Sequence, residues 1–400
     1  MVKLFFDDPE FDAALQRTAT AVNAASADLG ELLAPAAQIS VADYDDWFQK
    51  WSGLASATAE KGAIFAQRRQ QVSARKAYLR ATEYWRQAIF FIRHDLDDER
   101  LQMGWKAHRE AFRAAIPFLP WHASMAEIPF EGARMGAYLL RPDGSATKRP
   151  TLLAPCGFDS TAEAGYSGFA YMALPRDYNV LLWDGPGQGG MLYQQRVSMR
   201  PDFETVVRQV IDWLLIQEGV DAKGLVLVGR SLAGYLAPRA AAYEGRLAAL
   251  ICDPGQVEFV SRIVPSMFDE KTWQRILAGD PVLDAKLQHL LDDPHKREWI
   301  GARMATTGAA TVGDFLRTQV HFTVEKQADR IACPTLVTEG EGDFASQSKK
   351  LFELLTCEKQ FARLVEKNGA GGHCCGLGQT LWEEAVFGWL DEILGRVQGP

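Results

Sequence analysis

The chain has 400 residues, of which 47% are apolar and 24% are charged, with a formal net charge of −8 and a pI of about 5.5. These values are typical of a globular protein with one large domain or a large and a smaller one, and the acidic charge argues against a nucleic-acid-binding protein. The sequence has neither a run of roughly 20 apolar residues that could span a membrane nor the apolar core of a signal peptide, so we expect a cytoplasmic protein that does not act on a membrane.

The six cysteines give no sign of a metal site, because no two of them have the spacing of a zinc-binding pair. Three of them, Cys156, Cys252 and Cys333, lie in or beside buried-strand patterns, where cysteine acts as a small apolar residue. We therefore expect free thiols in a reducing compartment and no bound metal ion.

The first 122 residues show helical periodicity and almost no strand pattern. The stretch from Ala74 to Ile92 places apolar side chains near one helical face, and Pro117 and Pro120 close the segment. No glycine-rich or serine-rich linker follows, so we expect residues 1–122 to form a helical N-terminal cap that packs on the rest of the chain.

From about Ser124 onward, short apolar runs alternate with helix-like stretches. A hairpin comes first, and the later apolar runs have the pattern of buried strands. Buried strands that alternate with helices predict an α/β fold with a mostly parallel, doubly wound sheet over residues 123–400. Residues 257–328 are too long for an ordinary connection and contain helix-like pieces, beginning with FVSRIVPSMF. This helical insertion leaves the carboxyl end of a strand, where such sheets bind ligands, so it can form a lid.

The segment GLVLVGRSLAGYLAPRAAA has the pattern of a nucleophile elbow, in which a serine lies on a sharp turn between a strand and a helix. The turn requires small residues two positions before and after Ser231, and Gly229 and Ala233 occupy them. The alternative is a serine that only caps the N-terminus of a helix. A serine nucleophile also needs a base within hydrogen-bond reach.

The base and the acid are expected later in the chain, in the order serine, acid, histidine. His373 follows the last strand pattern in a glycine-rich loop, and we expect it to be the base; a surface histidine is the alternative. Asp343 follows the strand PTLVTEG and is the expected acid, with Glu341 and Glu339 as alternatives. An aspartate in this place can also serve only to cap the next helix.

Two backbone N–H groups should stabilise the negative charge that develops on the substrate oxygen. Leu232 should supply one of them, because it directly follows the nucleophile. The other should come from the loop after the strand PTLLAP, at Phe158 or next at Gly157. A further loop, Trp183 to Gly190, lacks both the P-loop and the dinucleotide patterns and is expected to be a tight turn braced by Asp184.

Four motifs taken together resemble one branch of the α/β-hydrolase family: GRSLAGY, DGPGQG, CGFDST and GAGGHC. That branch carries a long helical segment before the sheet, to which YLRATEYWR is similar. It includes the 2,6-dihydropseudooxynicotine hydrolase of nicotine breakdown and fungal hydrolases that shorten polyketide pigment precursors. CGF departs from the double glycine common in this branch.

The resemblance implies a catalytic triad of Ser231, Asp343 and His373, an active site between cap and sheet, and a homodimer. It also implies cleavage of a carbon–carbon bond beside a ketone, without a metal or an organic cofactor. An extra carboxylate that activates water is compatible with such chemistry, and Glu258 and Asp253 follow the strand before the insertion.

We therefore expect a hydrolase that acts on a small ketone-bearing molecule of aromatic or polyketide-like character. An esterase, lactonase or amidase with the same triad is the second hypothesis, and a non-catalytic binder or a cyclase is the third. Aromatic side chains at the cap boundary are candidates for the substrate pocket, although residues at helical spacing more often belong to a core: Tyr78, Tyr84, Trp85, Phe268 and Trp273. Glu258 and His321 of the insertion are two further candidates for this pocket.

Overall fold

The computed structural model describes residues 3–40, 43–260 and 267–396. The chain begins with five helices: α1 (Pro9–Ala19), α2 (Leu29–Ala36), α3 (Tyr44–Gln67), α4 (Gln71–Ala88) and α5 (Glu99–Ala115). Aspartate side chains cap the N-termini of four of them by accepting hydrogen bonds from the free N–H groups of the first turn: Asp8, Asp28, Asp43 and Asp98. A 3₁₀ turn, Ile116–Phe118, ends this region. We call the described residues up to Phe118 the cap.

An eight-stranded sheet follows. Its strands are β1 (His122–Phe130), β2 (Ala133–Arg141), β3 (Arg149–Pro155), β4 (Asn179–Trp183), β5 (Val220–Arg230), β6 (Ala249–Asp253), β7 (Thr335–Gly340) and β8 (Lys359–Leu364). Their order is β1-β2-β4-β3-β5-β6-β7-β8, with β1–β2 and β2–β4 antiparallel and all other neighbours parallel. The hairpin turns at Glu131–Gly132, where both residues have positive φ. The predicted mostly parallel sheet is confirmed.

Helices cover both faces of this sheet, which is why its central strands are mostly apolar. All residues of β4 and β6 are buried. The covering helices are α6 (Tyr171–Ala173), α7 (Gly189–Tyr193), α8 (Glu204–Leu214), α9 (Ala233–Ala241), α14 (Ser348–Leu354) and α15 (Gln379–Ile393). One core contains Val210 of α8 and Leu236 of α9, and the other contains Trp382 of α15 and Phe112 of the cap.

The insertion between β6 and β7 is helical, as predicted. Its described helices are α10 (Glu270–Leu277), α11 (Pro281–Gln288), α12 (Pro294–Thr307) and α13 (Val312–Thr318). They share a small core around Trp273, Ile276 and Phe315. Residues 261–266 of the predicted piece FVSRIVPSMF lie outside the described residues.

Direct hydrogen bonds join the cap to the insertion and to the loop after β3. His94 donates from Nδ1 to Glu298 Oε2 of α12 at 2.8 Å, and His108 Nε2 lies 2.7 Å from Thr161 Oγ1. Cap and insertion therefore meet above the carboxyl ends of the parallel strands. No helix in the described ranges is long and apolar enough to cross a membrane.

Candidate active site

Ser231 lies on a strained turn between β5 and α9. Its φ of 59° is in the left-handed region, which non-glycine residues rarely adopt. Its N–H donates to the carbonyl oxygen of Asp253 at 2.7 Å, which ties the turn to the end of β6. A Cβ on Gly229 would lie 2.0 Å from the carbonyl oxygen of Ala233, so the turn has room only for glycine there. The geometry is that of the predicted elbow, with a helix N-terminus directed at the serine.

Three loops at the carboxyl ends of β5, β7 and β8 bring Ser231, Asp343 and His373 together. Ser231 Oγ lies 2.8 Å from His373 Nε2, and His373 Nδ1 lies 2.9 Å from Asp343 Oδ1. Serine, imidazole and carboxylate thus form a continuous hydrogen-bonded chain. In such a chain the imidazole can take the hydroxyl proton while the carboxylate fixes its orientation.

Asp343 is held in place by backbone groups around it. Its side chain is fully buried, and it accepts hydrogen bonds from the N–H groups of Ala345 and Cys374 at 2.8 and 2.9 Å. The two alternative acids point elsewhere: Glu339 accepts from Ser346 Oγ at 2.6 Å, and Glu341 pairs with Arg363 at 3.3 Å. Of the three candidates, Asp343 is the one that contacts His373.

The thiol of Cys374, to which no sequence motif pointed, also lies beside the imidazole. Its Sγ lies 3.5 Å from His373 Nε2. Burial lowers the pKa of His373, but the Cys374 sulfur and the hydrogen bond to Asp343 raise it, and the net pKa is above the ordinary value. Asp343, His373 and Cys374 are also the group of potential metal-ligand atoms found within 4.8 Å of one another in the described part of the chain.

The loop after β3 passes directly beside Ser231. A Cβ on Gly157 would lie 3.3 Å from Ser231 Cβ and 3.8 Å from Leu232 N, so glycine allows this close approach. Within the described residues, the N–H groups of Gly157, Phe158 and Leu232 donate no hydrogen bond. They remain available to a substrate oxygen, as an oxyanion hole requires.

The loop from Trp183 to Gly190 is a tight turn, and Asp184 braces it. Asp184 accepts hydrogen bonds from Ala162 N and Gly190 N, both at 2.8 Å. The first of these bonds also anchors the segment that follows the oxyanion loop.

Ser231 and His373 open into a cavity of about 470 Å³ between the cap, the sheet and the insertion. Its volume lies within the range of small-molecule sites. Aromatic side chains from all three parts line it, among them Phe90, Phe158, Phe169, Phe259, Trp299 and Phe344. Phe344 stands at the rim, and its ring centroid lies 4.8 Å from that of His373.

The seven side chains predicted for the pocket are absent from the described wall of this cavity. The cap candidates face other parts of the cap: Tyr78 stacks on Phe118, Tyr84 donates to Glu31 at 2.8 Å, and Trp85 belongs to the cap core. This corrects the prediction. Helical spacing shows that a residue faces a core, but it does not show which one.

The remaining pocket candidates also lie elsewhere. Phe268 and Trp273 pack in the core of the insertion, and His321 is exposed to solvent. Glu258 accepts a hydrogen bond from Gln347 Nε2 at 3.2 Å. Asp253 is fully buried and accepts from Arg230 Nε at 2.8 Å, so neither carboxylate suggested as a water activator faces the cavity.

The comparisons with known proteins agree with this fold. The model of the alpha/beta hydrolase family matches residues 151–379. Hydrolase LUC6 of a Fusarium species is 29% identical over 395 residues, covering 92% of this chain and 93% of that protein. The 20-hydroxy-prefusarin hydrolase FUS2 of Gibberella moniliformis is 31% identical over 395 residues, covering 91% of this chain and 92% of that protein.

A solved structure resembles the chain over nearly its whole length. It is that of a 2,6-dihydroxy-pseudo-oxynicotine hydrolase, with a TM-score of 0.72, 23% identity and coverage of 94% of this chain and 95% of that one. The likeness therefore includes the cap as well as the sheet. The family match, the full-length relatives and the shared fold lead to one conclusion: the chain belongs to the alpha/beta hydrolase family.

Proposed function

We propose that the protein is a serine-dependent hydrolase that cleaves a carbon–carbon bond next to a ketone in an aromatic or polyketide-like small molecule. The observation that carries the proposal is the 2.8 Å contact between Ser231 Oγ and His373 Nε2, with Asp343 behind the imidazole. The names of the relatives, a 20-hydroxy-prefusarin hydrolase and a 2,6-dihydroxy-pseudo-oxynicotine hydrolase, support small-molecule substrates. The aromatic cavity wall supports a planar or conjugated one.

The proposed reaction has two halves. Ser231 Oγ attacks the ketone carbon while His373 Nε2 takes the hydroxyl proton, and the N–H groups of Leu232 and of Phe158 or Gly157 stabilise the oxyanion. The carbon–carbon bond then breaks, and its electron pair leaves as the enolate of a second carbonyl group, which the departing fragment must carry next to that carbon. His373 returns the proton to the same carbon. A water molecule, deprotonated by His373, hydrolyses the acyl ester and frees Ser231.

Labelling with a fluorophosphonate probe tests the serine mechanism. We expect covalent labelling at Ser231 that is lost in Ser231→Ala, together with a loss of turnover of at least about 10⁴-fold, because the nucleophile and its base act as a unit. Ser167→Ala is the matched control, since Ser167 lines the same cavity but donates to Ala164 O and should leave labelling intact. Labelling that survives in Ser231→Ala contradicts the proposal, and no labelling of the wild type indicates a non-catalytic protein.

Product analysis decides which bond is cleaved. A β-diketone and an ester with the same acyl group should both be turned over by a carbon–carbon hydrolase, because the enolate is a competent leaving group. Turnover of the ester alone contradicts carbon–carbon cleavage and supports the esterase, lactonase or amidase alternative. The homodimer implied by the resemblance stays a prediction, which light scattering of the purified protein tests.

A further inference from the structure

The cavity wall near the oxyanion loop contains more positive than negative groups. Three ion pairs involve other charged groups of the wall: Arg86 pairs with Glu83, Arg230 pairs with the buried Asp253 behind it, and Glu10 pairs with His295 at 2.8 Å. The remaining group, which we call the arginine wall, consists of Arg17, Arg93 and Arg303 with Asp159 and Glu298. Within this group, Asp159 and Glu298 lie among the guanidinium groups of three arginines.

Asp159 is shared among these arginines. It contacts Arg93 Nη1 and lies 3.1 Å from Arg17 Nη1, and the charge of Arg303 acts on it as well. Arg93 also lies 3.7 Å from Glu298, which in turn accepts a hydrogen bond from His94. Both carboxylates thus have other partners, and neither neutralises Arg17 alone.

Arg17 is the least satisfied member of the arginine wall. Within the described residues, Asp159 is its ion-pair partner, and its guanidinium donates no hydrogen bond that meets the usual geometry. Burial lowers the pKa of Arg17; Asp159 opposes this effect, and the neighbouring Arg86 and Arg93 lower the pKa further. Arginine nevertheless stays protonated in proteins. A further anion beside Arg17 would therefore stabilise its buried positive charge.

The arginine wall lies close to the nucleophile. Asp159 is two residues from Gly157, and two residues span at most about 7 Å of extended chain. Gly157 itself packs against Ser231. A small ligand whose carbonyl lies at Ser231 can therefore place a second polar group at Arg17 within the same cavity.

The outer edge of the arginine wall suits a planar ligand. The guanidinium of Arg303 lies over the ring of Trp299 at 3.9 Å and over that of Phe158 at 4.6 Å. Stacking occupies the faces of a guanidinium, whereas its N–H donors lie in its plane. The N–H donors of Arg303 therefore lie next to the aromatic rings of Trp299 and Phe158. This combination suits an aromatic carboxylate, whose charged group needs hydrogen-bond donors and whose ring needs an apolar surface.

We propose that the substrate carries a carboxylate on its aromatic scaffold and that Arg17, supported by Arg303, binds this group. The inference rests on the proposed serine hydrolase function and adds the charge class of the substrate. It predicts that an acidic substrate is preferred to a neutral one of the same shape, even though the protein as a whole is negatively charged.

Two matched esters test this preference: the 4-nitrophenyl monoester of an aromatic dicarboxylic acid, and the same ester with a carboxamide in place of the free carboxylate. We expect the wild-type KM to be at least about tenfold lower for the carboxylate, in line with one charge-assisted hydrogen bond. Arg17→Gln should erase this ratio, and Arg17→Lys should retain part of it. A poorly folded variant lowers the rates of both esters alike, so the ratio still reports on the site.

Arg80→Gln is the matched control, because Arg80 is a cap arginine that pairs with Glu31 and does not line the cavity. It should keep the wild-type ratio. Equal KM values for the two esters in the wild type, or an unchanged ratio in Arg17→Gln, would overturn the inference.

A binding measurement separates this inference from the proposed reaction. Calorimetry on Ser231→Ala with the free aromatic dicarboxylate and its monoamide reports anion recognition without turnover. Tighter binding of the dicarboxylate, lost in Ser231→Ala/Arg17→Gln, supports the anion site even if the fluorophosphonate probe fails to label Ser231. Labelling and ester turnover without any charge preference overturn the anion site and leave the serine hydrolase proposal intact.

Discussion

Cys374 affects the proposed base in two ways. Its backbone N–H donates to Asp343 Oδ2 at 2.9 Å, which helps to fix the carboxylate, and its Sγ lies 3.5 Å from His373 Nε2. Its φ of 50° is in the left-handed region, so the loop adopts a strained conformation to place it there. One residue thus helps to hold the acid in place and contributes to the raised pKa of the imidazole.

We expect Cys374→Ala to shift the pH profile of the reaction. His373 must be unprotonated to act as a base, so kcat/KM should fall as the pH decreases through its pKa. The sulfur raises this pKa, and removing it should therefore move the acid limb to lower pH, while Ser231, His373 and Asp343 remain in contact. The pH dependence of kcat/KM with the 4-nitrophenyl ester measures the shift. An unchanged or upward-shifted limb would show that the thiol does not raise the pKa of the base.

The nucleophile elbow is the element on which the site depends. The strand β5, the turn and the helix α9 are close-packed at Gly229 and Gly234, where added Cβ atoms would each lie 2.0 Å from a backbone carbonyl oxygen. Neither contact can be relieved by a side-chain rotation, because both involve backbone atoms. The turn must shift, and with it the Ser231 hydroxyl.

Gly229→Ala should therefore lower the free energy of unfolding by about 1–3 kcal/mol, the usual cost of overpacking a filled core. It should also abolish fluorophosphonate labelling of the protein that remains folded. Gly245→Ala is the control, since no atom lies within 4 Å of the added Cβ. Urea denaturation of both variants gives the comparison, and equal stability of the two would show that the turn has room for a methyl group.

At the scale of the whole molecule, one of the contacts between the cap and the insertion includes a titratable histidine. His295 at the start of α12 donates from Nδ1 to Glu10 of the cap at 2.8 Å. The hydrogen bond to Glu10 raises the pKa of His295 above its ordinary value of 6.5, against the opposing effect of burial. The stability that this charged pair contributes is therefore fully present at pH values just below 6.5 and is lost as the pH rises through the raised pKa.

We expect backbone amides in α12 to exchange faster at high pH than intrinsic exchange rates alone predict. Hydrogen exchange at pH 5.5 and pH 9, corrected for those rates, measures this loss of protection. His295→Gln should remove the difference, because glutamine carries no charge at either pH. Equal corrected protection at both pH values in the wild type would mean that the pair does not hold the cap to the insertion.

Much of the geometry of the candidate site was predictable because local rules determine it. The small residues around Ser231 follow from the sterics of one tight turn, and the alternation of strands and helices fixes a mostly parallel sheet. The carboxyl ends of parallel strands meet at one edge, so loops after β5, β7 and β8 had to converge there. Asp343 and His373 could therefore be chosen by their place in the chain.

The sequence alone thus determined the fold class, the elbow and the three residues that meet at the sheet edge, since each depends on neighbours in the chain or on strand order. Only the tertiary structure decided the cavity wall. Arg17, Asp159 and Arg303 lie far apart in the sequence, and their contacts exist only after the cap and the insertion have packed. Tyr84 and Trp273 have the spacing of buried helical residues, but which core receives a helix face depends on long-range packing that periodicity does not encode.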